Sequence, residues 1–94
     1  MSNMLIIAHR GFSQGFPENS RRAFEEAISA GADFIETDAR LTADDEVICT
    51  HDPDFGRLTG TPLMVAETHS QTLLGLDTGR GQHPMRLTEV LTLA

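Results

Sequence analysis

The sequence contains no lysine. All seven of its basic residues are arginine, set against fourteen Asp and Glu, for a formal net charge of −7. No basic patch exists that could neutralise a nucleic-acid backbone, which argues against nucleic acid as a partner. An anionic small molecule would have to be drawn in by local positive charge, from Arg10 and a bound cation, against an acidic overall field. Cysteine is almost absent as well: Cys49 stands alone, so an internal disulfide is excluded and a reducing compartment fits. Long apolar runs are missing; the longest, Met4 to Ala8, is far below bilayer length and meets His9 and Arg10 at once. With no basic leader or small-residue cleavage site, the expected location is cytoplasmic, without a membrane span. No repeat or low-complexity tract is present, and nothing fixes an oligomeric state.

What is there is the composition of an ordinary globular chain, 94 residues with 39% hydrophobic and 22% charged, enough for one domain at most. Met4 to Ala8 reads as a buried strand that delivers His9 to its C-terminal edge and is ended by Gly11. A loop from Phe12 to Phe16 follows. Asn19 or Ser20 then caps a helix of about three turns, with Asn19 favoured, whose apolar stripe is Ala23, Phe24, Ala27 and Ile28 and whose stop is Ala30-Gly31. Asp33 to Leu41 alternates as one strand, with Phe34, Glu36, Asp38 and Arg40 on one face and Ile35, Thr37, Ala39 and Leu41 on the other. Thr42 to Asp45 is a turn, and Val47 to Thr50 is a third strand ending at His51. Pro53 to Arg86 is weakly patterned around an expected helix over Val65 to Leu74. A final amphipathic helix starts near Leu87, with Leu87, Val90, Leu91 and Leu93 apolar.

Three expected strands therefore each end in a residue capable of chemistry. Glu36 and Asp38, two apart on one strand, would hold their carboxylates roughly 6–7 Å apart on one face. Such a pair repels itself unless a cation sits between, and hard oxygen ligands suit Mg²⁺ or Ca²⁺ better than Zn²⁺. The plainer alternative is a solvated strand face. Arg10 offers a planar fork for two phosphate oxygens, and Gly11 allows close backbone approach; Arg10 pairing with Glu36 or Asp38 as a structural ion pair is the competing reading. Imidazole as a group exchanges protons near neutrality, so His9 and His51 can supply the acid and the base that cleaving a phosphodiester demands. Pro17-Glu18-Asn19 reads most simply as a helix entry, with Glu18 complementing the dipole. Cys49 is better placed as a core thiol than as a Cys-His nucleophile. His69 and His83 read as surface residues.

The set His9-Arg10-Gly11, Pro17-Glu18-Asn19, Glu36-Thr37-Asp38 and His51-Asp52, followed by Phe55, Arg57 and Thr59-Gly60, resembles in order and spacing the glycerophosphodiester phosphodiesterase family, across nearly the whole chain. The resemblance implies an α/β fold that is the N-terminal portion of a (β/α)8 barrel of TIM type. A full barrel needs roughly 250 residues, so residues 1–94 read as a truncated catalytic domain holding the first three barrel strands. It further implies Glu36 and Asp38 as ligands of a divalent cation, Mg²⁺ or Ca²⁺, His9 and His51 as general acid and base, Arg10 at the substrate phosphate and Glu18 at the active-site rim. The reaction implied is hydrolysis of glycerophosphodiesters to sn-glycerol 3-phosphate and an alcohol, through a cyclic phosphate formed by the substrate's neighbouring hydroxyl. The family's third acidic ligand lies on a strand beyond Ala94, so the 94 residues alone are expected to be inactive. Two alternatives stand beside this reading: an inactive metal- or phosphate-binding remnant, and a related barrel phosphodiesterase acting on phospholipids.

Overall fold

A computed structural model describes residues 7–11 and 15–93. Of the expected opening strand, residues 4–6 lie outside the described part, as do 12–14 of the following loop. The rest of that strand is β1 (Ile7–His9), which pairs in parallel with β2 (Phe34–Glu36), Ile7 opposite Phe34 and His9 opposite Glu36. Between them runs α1 (Arg21–Ser29), whose Ala23, Phe24 and Ala27 are buried as the spacing requires, while Ile28 stays largely exposed. Its cap is Ser20 and not Asn19. Ser20 has the extended backbone that a cap needs and its side chain accepts from the Ala23 N–H, whereas Asn19 is left-handed at φ 57° and points its side chain elsewhere. At the other end Gly31 takes φ 83°, and the Gly31 and Ala32 N–H groups donate back to the Ile28 and Ala27 carbonyls, a left-handed closure that glycine makes without steric cost.

The single strand expected over Asp33 to Leu41 is broken. β2 ends at Glu36 and a second strand, β3 (Ala39–Leu41), begins after Thr37-Asp38. At the break the Thr37 hydroxyl donates to the Asn19 side-chain oxygen at 2.7 Å and the Asp38 carbonyl accepts from the Thr50 N–H at 2.9 Å. The chain thus changes partner, leaving parallel β1 for antiparallel β4 (Val47–Cys49). β4 in turn pairs antiparallel with β5 (Met85–Arg86), a strand the weak patterning of that region concealed. The third strand of the expected barrel opening is therefore antiparallel, and among the described residues parallel pairing is confined to β1 and β2. The reason is the connection: Leu41 and Val47 are joined by a tight turn, with Asp45 at φ 61°, whereas a parallel crossover takes a dozen residues or more. The mixed α/β class stands.

β4 feeds two cores, because consecutive strand residues point to opposite faces. Cys49 packs with Phe24, Met85 and Val90, backed by Ile35, Leu87 and Leu93; Ile48 packs with Phe55, Val65 and Leu73. The second core is closed by α2 (Gly56–Thr59), a short helix that sequence periodicity did not reveal and that ends at Gly60. The helix expected over Val65 to Leu74 is two pieces, a 3₁₀ turn at Val65–Glu67 and α3 (Ser70–Leu74), with extended Thr68 between them and His69 capping the second. α4 (Leu87–Leu93) forms where expected; Val90 is buried, Leu91 is exposed. No described helix is long and apolar enough to cross a membrane.

Candidate active site

The parallel register that sets His9 opposite Glu36 lets the two side chains meet, His9 Nε2 donating to Glu36 Oε2 at 2.7 Å. The chain then turns sharply. Arg10 adopts φ 58°, its N–H donates to the Glu36 carbonyl at 2.7 Å, and its own carbonyl accepts from the Asn19 N–H. Gly11 follows at φ 77°, and a Cβ there would lie 2.7 Å from the Ala23 carbonyl carbon. The turn is thereby seated on α1, and no side chain fits at that point.

Arg10 turns toward Glu18, its Nη1 lying 3.3 Å from both carboxylate oxygens. From the other side Arg57, on α2, grips the same carboxylate with Nη1 and Nη2 at 3.1 and 2.9 Å. Its Nε donates to Asp52 Oδ2 at 2.8 Å, and Asp52 Oδ1 meets His51 Nδ1 at 2.9 Å. Since a carboxylate only accepts, Nδ1 carries the proton in that contact. The His51 carbonyl is pinned separately by Arg40, whose Nε and Nη2 donate to it at 3.1 and 2.8 Å. Both imidazoles remain accessible, with 65% of the His9 side chain and 48% of His51 exposed.

The charges follow this geometry. Burial works against ionisation of Glu18, but hydrogen bonds and charge from Arg57 and Arg10 outweigh it and hold the carboxyl below its usual range. Hydrogen bonds from Arg57 and then His51 lower Asp52 to about 2. The same two carboxylates, Glu18 first and then Asp52, raise Arg57 further above its ordinary value. Burial raises the Cys49 thiol, consistent with a core residue and not a nucleophile.

Glu36 and Asp38 do not face one partner. Glu36 holds His9, while Asp38 Oδ2 lies 3.7 Å from Arg10 Nε, too far for a hydrogen bond. Among the described residues no three His, Cys, Asp or Glu side chains converge on a common point that could hold a metal. The donor chemistry nevertheless fits a hard cation: Asp38 Oδ2 is buried without a hydrogen-bond partner, an anionic oxygen short of a ligand, and Glu36 adds a second carboxylate at the end of the neighbouring strand.

Of the residues singled out from sequence, His9 and Glu36 come together, and Arg10 meets Glu18 and Asp38. His51 meets Asp52. The ion pair weighed for Arg10 with Glu36 or Asp38 is met by Asp38, at 3.7 Å, while the nearer partner, Glu18 at 3.3 Å, was not foreseen. Sequence reasoning assigned no role to Asp52 or Arg57, although their five-residue spacing across a turn into α2 was in plain view. His69 and His83 are exposed; His69 accepts from the Gln71 N–H and lies 3.4 Å from Asp44, and His83 Nδ1 meets the Leu76 carbonyl. A cavity of about 420 Å³ opens among Arg21, Gln82, His83, Arg86 and Glu89 and shares no residue with this network.

Comparison with known proteins bears on what the network is for. The family model described as "Glycerophosphoryl diester phosphodiesterase family" matches residues 9–94. A glycerophosphodiester phosphodiesterase of Caldanaerobacter subterraneus subsp. tengcongensis is 40% identical over 75 residues, 80% of this chain and 31% of that protein. The crystal structure of the Agrobacterium tumefaciens glycerophosphodiester phosphodiesterase superposes at a TM-score of 0.87 and 33% identity, covering 94% of this chain and 41% of that one. A phosphodiesterase of Oleispira antarctica in complex with the product sn-glycerol-3-phosphate superposes at 0.89 and 27% identity, covering 96% and 39%. The chain spans between a quarter and a third of the first curated relatives it matches. With the family model matched over residues 9–94 and a 40%-identical relative covering 80% of this chain, the chain belongs to the glycerophosphoryl diester phosphodiesterase family.

Proposed function

We propose that the protein carrying this chain hydrolyses glycerophosphodiesters to sn-glycerol 3-phosphate and an alcohol, with His9 and His51 as its proton-transfer groups. The observation that carries this is the pairing of each accessible histidine with a carboxylate, His9 with Glu36 and His51 with Asp52, beside guanidinium groups that suit a phosphate. A carboxylate partner holds an imidazole in one orientation. One imidazole removes the proton of the attacking hydroxyl and the other protonates the leaving alkoxide. Arg10, with four-fifths of its side chain buried, is oriented by Glu18 and offers its remaining donors to the phosphoryl oxygens.

Glu36 and Asp38 would hold a divalent cation, Mg²⁺ or Ca²⁺, which when bound neutralises charge on the phosphoryl oxygens. The support is the buried Asp38 Oδ2, which no hydrogen bond satisfies. Residues 1–94 read as the N-terminal portion of a (β/α)8 catalytic barrel. Taken alone they are not expected to turn over substrate, because the adjoining Ile7 and Phe34 side chains of the β1–β2 ribbon are more than half exposed and want cover. The test is product identity on a panel of glycerophosphocholine, glycerophosphoethanolamine and a lysophospholipid, read by ³¹P NMR with the full-length natural protein. Release of sn-glycerol 3-phosphate from the first two supports the reading. Cleavage of the lysophospholipid alone would move the protein to phospholipid chemistry, and no cleavage of any would favour a binding remnant.

A further inference from the structure

We propose that Arg57 is a positioning residue: it fixes the orientation and tautomer of His51 through Asp52, and Glu18 locks it to Arg10. This rests on the reading of His51 as a proton-transfer group. The path is continuous. Arg10 meets Glu18 at 3.3 Å, Glu18 meets Arg57 at 2.9 and 3.1 Å, Arg57 meets Asp52 at 2.8 Å and Asp52 meets His51 at 2.9 Å. It joins the loop after β1 to the loop after β4, two segments 39 residues apart at the Glu18–Arg57 contact.

Each link has a geometric reason. Asp52 has two oxygens and gives one to each neighbour, so its plane is set only while Arg57 Nε occupies Oδ2. With that plane set, Oδ1 faces His51 Nδ1 and obliges it to carry the proton, leaving Nε2 as the lone-pair nitrogen of the neutral ring. Arg57 can do this because a guanidinium is a rigid fork: Nη1 and Nη2 take Glu18 while Nε reaches Asp52. Lysine, a single point charge on a flexible stem, cannot hold both carboxylates in one plane. Arg57 has 52% of its side chain exposed, so its replacement leaves both hydrophobic cores intact. The lowered carboxyl of Asp52 agrees with a group held ionised from two sides.

The test is the His51 tautomer in the full-length natural protein, read from imidazole ¹⁵N shifts above the histidine's own titration, alongside kcat on a glycerophosphodiester. Wild type is expected to show His51 protonated at Nδ1. Arg57→Ala should mix the tautomers, Arg57→Lys should restore little of the preference, and Asp52→Asn should abolish it. kcat should fall about 10- to 100-fold in Arg57→Ala, the range for losing an outer partner of a site residue, with KM changed far less. A merely structural arginine would lower thermal stability while leaving the His51 tautomer untouched. That outcome, an unshifted Nδ1–H signal in a folded Arg57→Ala, overturns the proposal. Full restoration of tautomer and kcat by Arg57→Lys overturns it too. Should the protein cleave no glycerophosphodiester, the functional reading fails, and the ¹⁵N shifts still decide the role of Arg57.

Discussion

Glu18→Gln tests the centre of the network. The substitution keeps shape and removes one negative charge from a carboxylate whose side chain is 12% exposed and which faces two guanidinium groups. A hydrogen bond to a charged group contributes about 1.5–3 kcal/mol when well buried, and an exposed ion pair about 0.2–1 kcal/mol. Arg10, 20% exposed and at 3.3 Å, belongs nearer the first range but with long contacts, so about 1–1.5 kcal/mol is reasonable. Arg57, 52% exposed, belongs nearer the second despite its good geometry, at about 0.5–1 kcal/mol after solvent screening. Together these predict a loss of about 2 kcal/mol, close to a 30-fold shift in the unfolding equilibrium. In urea unfolding of the full-length protein the midpoint should fall by about 1 M. A double-mutant cycle with Arg57→Ala should return a coupling of about 0.5–1 kcal/mol for the Glu18–Arg57 pair. An unchanged midpoint in Glu18→Gln, or a coupling of zero, would refute the view that Glu18 ties the two loops together.

The other expectations follow from single features. Glu36→Gln or Asp38→Asn should largely abolish turnover, and excess chelator should do the same to wild type, since either change leaves a cation short of a negative ligand; full activity under chelation would end the metal assignment. Asp52 has its folded pKa depressed to about 2 from the ordinary 3.8. Its stabilisation is therefore complete above about pH 4 and is lost as pH falls through about 2. An Asp52 carboxyl titrating by NMR at its ordinary value would contradict the Arg57 and His51 contacts. Cys49, buried among Phe24, Met85 and Val90, should react with iodoacetamide only on unfolding, and rapid modification of the native protein would show that the core is open.

How much of this was legible beforehand depended on whether the signal was local. The α1 stripe was, because Ala23, Phe24 and Ala27 recur at helical spacing and bury as a unit. So were β4 and the place of His9 at the end of β1, although β4 stops at Cys49, two residues short of His51. The break in the second strand was not: alternation continues straight through Thr37-Asp38, and what interrupts it is a pair of long-range hydrogen bonds, from Thr37 to Asn19 and from Thr50 to Asp38. The cap was misplaced by one residue because Asn and Ser are equally good acceptors. The structure decides between them through the left-handed turn at Asn19, which the Arg10 carbonyl holds from a distance. Antiparallel β4 could have been read from the short connection alone. Arg57 was hidden in a weakly patterned stretch, since its meaning lies in Glu18, far back in the chain.

The most direct measurement is the release of sn-glycerol 3-phosphate from glycerophosphocholine by the full-length protein and by its His9→Ala and His51→Ala variants, repeated on a substrate with a p-nitrophenol leaving group. Wild type should form the product, and each variant should lose about two to four orders of magnitude in kcat. The double variant should lose far less than the product of the two. The good leaving group should rescue whichever variant has lost the acid. Undiminished turnover in both variants would contradict assignment of proton transfer to the histidines that end β1 and follow β4.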